Sequence, residues 1–74
     1  MNAQGRKELA KQIASLENIK NLLENMKDEE ETKFDNMPEG LQDSERGDQM
    51  QEAIDALDEA CNSLDEAIDR LNDI

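Results

Sequence analysis

The sequence predicts an all-α fold: an antiparallel helical hairpin of coiled-coil type that doubles into a four-helix bundle by homodimerisation. Three observations predict it. Apolar residues recur every three or four positions in both halves of the chain. One break, Met37-Pro38-Glu39-Gly40, separates the halves. The second half repeats a heptad three times in tandem. The 74 residues suffice for a single domain over 1–74, with a helix over about 6–35, a connection over about 36–43 and a helix over about 44–73.

Residues 1–6 read as a frayed start. From there Leu9, Ile13, Leu16, Ile19, Leu23 and Met26 follow the period of one helix face, and Leu22 widens the stripe. Lys20 and Lys27 fall where a strict heptad would place apolar residues; their long stems can cover apolar surface while the ammonium groups stay in water. The run Asp28-Glu29-Glu30-Glu31 repels itself, and Lys27 and Lys33 offset part of that repulsion at helical spacing. No breaker interrupts it, so the helix continues to Asp35 or Asn36. Pro38 lacks a backbone donor and disfavours helical geometry at Met37. Gly40 is free to adopt positive φ. The second helix has competing start signals: Asp43 or Ser44 as a cap, or Asp48 with Gln51 as a capping box. A start at Ser44 that runs on through Gly47 is preferred.

From Met50 onward, Met50, Ile54, Leu57, Cys61, Leu64, Ile68 and Leu71 alternate spacings of 4 and 3, with Ile54, Cys61 and Ile68 at a positions. Each repeat opens Glu-Ala and places leucine sixth. Ala53, Ala60 and Ala67 form a column at g, beside the seam, where a neighbouring helix can approach closely. A stripe this wide suits a globular bundle better than a two-stranded coil. A short connection makes the two helices antiparallel neighbours. A lone hairpin would leave one side of both stripes wet, so two hairpins packed together form the economical unit.

A chain this small is marginal without disulfides, metal or association. It has one cysteine and no histidine, which leaves no internal disulfide and no credible zinc ligand set. Cys61 reads as a small buried hydrophobe, its neighbours being acidic and polar. Phe34 is the only aromatic residue, so there is no base-stacking platform. The net charge of −12 opposes direct binding to nucleic acid. Residues 1–27 hold five bases against three acids, while residues 28–74 hold 17 acids against three bases. This asymmetry can steer a basic partner to the acidic part. No apolar run suits a bilayer and the start is not of signal-peptide type, so a cytoplasmic protein is expected. No catalytic, phosphate-cradling, metal or cofactor motif is present, and the expectation is a protein that is not an enzyme and needs no cofactor.

The connection is richer than a minimal turn. Phe34, Asp35, Asn36, Pro38, Glu39, Leu41, Gln42, Ser44, Glu45 and Arg46 are its candidate binding residues. One reading makes them a folded cap, with Phe34, Met37, Leu41 and Met50 covering the bundle end and Arg46 paired with Asp43, Glu39 or the acid run. The other has them present side chains to a ligand. A calcium loop starting at Asp35 fails, because Met37 and Arg46 fall where carboxylates are required. The segment Phe34-Asp35-Asn36-Met37-Pro38-Glu39-Gly40-Leu41-Gln42-Asp43-Ser44-Glu45-Arg46-Gly47, followed by the Glu-Ala heptads, resembles a group of small helical proteins of bacterial, phage and mobile-element genomes. The resemblance implies a setting and no particular activity.

The leading expectation is a self-associating acidic module that binds a host or phage protein. Two alternatives remain: a DNA-mimic inhibitor of a nucleic-acid enzyme, and an oligomeric sponge for a small molecule or nucleotide with its site at the connection.

Overall fold

The computed structural model describes all 74 residues and contains three helices: α1 (Ala3–Asp35), α2 (Glu39–Gln42) and α3 (Glu45–Asn72). α1 starts earlier than the apolar pattern implies, because the Asn2 side chain accepts a hydrogen bond from the Gly5 N–H at 2.7 Å and caps it. The helix runs unbroken through Asp28–Glu31 and ends at Asp35. There the Asn36 and Met37 N–H groups donate to the carbonyls of Thr32 and Phe34, each at 3.1 Å.

The expected loop contains a single helical turn, α2. Gly40 sits within it, and no glycine in the chain has positive φ, so the left-handed freedom expected of Gly40 is not used. Ser44 caps α3, its hydroxyl accepting from the Gly47 N–H at 3.3 Å. Asp48 and Gln51 lie inside the helix, so the alternative capping box does not set its start.

α1 and α3 pack antiparallel in a rod with extents of 58 × 15 × 13 Å. Arg6 Nη1 donates to the Ile74 carbonyl at 3.1 Å and ties the open end of the hairpin. The line of α1 that meets α3 is Leu9, Ile13, Leu16, Lys20, Leu23, Lys27, Glu30 and Phe34, all half-buried. This is a strict 4–3 alternation, and Lys20 and Lys27 occupy two of its places. Ile19 and Met26, expected on the packing face, are 45 % and 54 % exposed. A helix turns by about 100° per residue, so the face set by Leu9, Ile13 and Leu16 rotates past Ile19 onto Lys20.

Burial on α3 is also one-sided. Its buried side chains are Ile54, Cys61 and Ile68, all at a positions. Met50, Leu57, Leu64 and Leu71 are half-buried. The accessible surface is 5534 Å². A compact monomer of 8.4 kDa would expose about 4,600 Å². The hairpin therefore shows about 900 Å² more than its mass requires, close to what one partner contributes to a standard protein interface.

Candidate functional site

The connection folds as a cap that satisfies helix-end groups. The Gln42 side-chain amide donates to the carbonyls of Phe34 at 3.0 Å and Met37 at 3.2 Å. The Leu41 and Gln42 N–H groups donate to the Pro38 carbonyl, and the Ser44 hydroxyl donates to the Leu41 carbonyl. Gly47 completes the junction. It is buried, and a Cβ there would lie 2.6 Å from the Gln42 carbonyl carbon and 2.8 Å from the Leu41 oxygen. The first turn of α3 thus rests directly on the backbone that precedes it.

The candidate binding residues separate. Asn36, Pro38, Leu41, Ser44 and Arg46 line one shallow cleft together with Lys33, Met37 and Met50. Phe34 and Asp35 face a different hollow beside Gln51 and Ile54. Glu39 and Glu45 are exposed and line neither. Leu41, expected to cover the bundle end, is 53 % exposed. Arg46 forms no ion pair with Asp43, Glu39 or the acid run, against expectation. The acidic tip therefore presents an uncompensated cation next to Lys33.

Two ion pairs seal one broad face of the hairpin. Lys20 Nζ lies 2.6 Å from Asp65 Oδ1, and Lys27 Nζ lies 3.2 Å from Asp58 Oδ1. Both lysine side chains are largely covered, at 22 % and 23 % exposure. The hydrogen bond to Asp65 raises the Lys20 pKa above its ordinary value, against partial burial; the hydrogen bond to Asp58 does the same for Lys27. A raised folded pKa gives stability that is complete below the ordinary lysine value of 10.5 and is lost as pH rises through the folded value. Urea midpoints should thus hold through neutral pH and fall above about pH 10.5, and the fall should shrink in a Lys20→Met/Lys27→Met variant. Cys61 lies beneath this face, its thiol 3.9 Å from the Lys20 carbonyl.

The opposite face is open. Leu57, Leu64 and the alanine column flank the buried a positions on the side away from Asp58 and Asp65. Ile19, Leu22 and Met26 flank the α1 line on the side away from Lys20 and Lys27. A groove lined jointly by Glu30, Lys33, Met50 and Ala53 shows that these two helix sides share one face. Ile19, Leu22 and Met26 are 45–55 % exposed there, without a covering element. Sequence reasoning missed Gly47 and the lysine–aspartate pairs. The signal for the pairs was present, since two lysines stand at seam positions a heptad apart and two aspartates stand a heptad apart on the other helix.

No cluster of three or more acidic or cysteine side chains is gathered as for a metal ion, and no helix is long and apolar enough to cross a membrane. No protein-family model, curated protein or solved structure matches the chain.

Proposed function

We propose that this protein is a non-enzymatic, self-associating helical module that binds a protein partner. The carrying observation is the open face: an apolar strip from both helices lies uncovered, while the hairpin itself buries only Ile54, Cys61 and Ile68 among its hydrophobic side chains. Three buried side chains are a small core for 74 residues. Pairing two hairpins through their open faces gives each the missing half of a four-helix core.

The outer surfaces of such an assembly stay acidic. They suit a basic protein surface, which long-range attraction would guide in a salt-dependent way. The resemblance of the central segment to phage and mobile-element proteins is the ground for expecting a host or phage protein as partner. The connection acts in this reading as the cap that fixes the hairpin angle.

Sedimentation equilibrium tests the self-association. Wild-type protein should sediment at twice the 8.4 kDa chain mass. Met26→Glu, which places a charge on the open face at an exposed position, should return the single-chain mass with helix content retained. Single-chain mass for the wild type across the micromolar range would overturn the proposal.

A further inference from the structure

The hairpin is electrically polar along its length. The antiparallel pairing brings Lys20 level with Cys61 and Asp65, close to the middle of the rod. On the tip side of that level, residues 21–61 carry 14 acidic and three basic side chains. On the open-end side, residues 1–20 and 62–74 carry six acidic and five basic side chains. Nearly all of the net charge of −12 therefore resides in the tip half, and the open-end half is close to neutral.

Two hairpins can meet through their open faces under either of two two-fold axes. An axis along the rod sets the tips side by side and lays α1 over α3 of the second copy. An axis across the rod sets the tips at opposite ends and lays α1 against α1 and α3 against α3. The first arrangement presses the two strongly acidic tip halves together and leaves the two nearly neutral halves facing each other. The second places each acidic half beside a nearly neutral one.

We propose that the occupant of the open face is a second copy of this chain, docked head to tail about a two-fold axis that crosses α1 near Ile19 and Lys20. This rests on the self-association proposed above and adds its geometry. Four further observations favour it. Between Lys11 and Glu29 the side of α1 that carries Ile19, Leu22 and Met26 is uncharged, its other residues being Gln12, Ser15, Asn18 and Asn25, while Glu17 and Glu24 lie on the side of Lys20 and Lys27, so two copies of α1 meet there without like-charge contact. At the ends of that window, an axis at this level sets Lys7 and Lys11 of one copy beside the Asp28–Glu31 run of the other. It also sets Lys33, which has no ion-pair partner within the chain, beside Glu8 of the second copy. On α3, the column Ala53, Ala60 and Ala67 carries no bulk and lets the two α3 helices approach closely. The surface in excess of a compact monomer, about 900 Å² per chain, matches the area one partner of a stable dimer covers.

Spin labels at the tips read the orientation. Gly40→Cys provides the label site, since a Cβ there meets nothing within 4 Å, and buried Cys61 is shielded from labelling. Head-to-tail pairing puts the two labels apart by close to the 58 Å length of the rod. A distance below half that length would overturn the orientation while leaving self-association standing. The absence of any interchain coupling, with single-chain mass, would overturn both. A charge exchange gives an independent check. Lys11→Glu should weaken association about tenfold or more, and adding Glu29→Lys and Glu30→Lys should restore it. Failure of the exchange to restore association in a dimeric protein would overturn the proposed register.

Discussion

Gly47→Ala should destabilise the protein by about 2 kcal/mol, although alanine is the better helix former. In an open helix interior the exchange would gain about 1 kcal/mol. Here the added methyl meets the Gln42 and Leu41 carbonyl groups, and those are backbone atoms fixed by the cap. They cannot swing aside as a side-chain end would. Either α3 shifts outward or α2 unravels, and overpacking of this kind costs about 1–3 kcal/mol. The hydrogen bonds from Gln42 to the Phe34 and Met37 carbonyls would be strained together with it. Urea unfolding followed by circular dichroism measures the loss. Gly40→Ala is the matched control, because a Cβ there meets open space and the residue is already helical. That variant should be neutral or slightly more stable.

Ile54→Ala should cost about 3 kcal/mol, within the range for a large-to-small change in a core. Ile54 is only 6 % exposed and is one of just three buried hydrophobic side chains. For a domain of this size such a loss lowers Tm by roughly 10–20 °C. It also consumes a large share of a total stability on the order of 5 kcal/mol. Leu22→Ala is the informative comparison. Leu22 is 55 % exposed in the hairpin, so its truncation should leave the fold of a single chain intact and act on association. Thermal melts of the two variants at matched concentration separate the hairpin core from the outer face.

The heptads made the hairpin legible. Their period depends only on which residues need covering, and a helix of 28 residues with Ile54, Leu57, Cys61, Leu64 and Ile68 at fixed spacing has one apolar side. The early start of α1 was less visible: Asn2 caps the helix through Gly5, before any apolar residue marks the period. The roles of Ile19 and Met26 were not legible, because a stripe shows which residues avoid water and not which neighbour covers them. Only the antiparallel pairing with α3 sorts that stripe into an inner line through Lys20 and Lys27 and an outer line through Ile19 and Met26. The cap was partly legible in Ser44. The functions of Gln42 and Gly47 depend on backbone groups of the same connection meeting in space, and spacing alone does not register that.

If the open face is covered in the working protein, folding and association are linked. Mass action then makes unfolding depend on concentration. The thermal midpoint of the wild type should climb steadily as protein concentration is raised from micromolar to millimolar, and Met26→Glu should melt lower with a midpoint that stays constant. A wild-type midpoint independent of concentration would contradict the account, since the hairpin would then be stable alone with its apolar face in water.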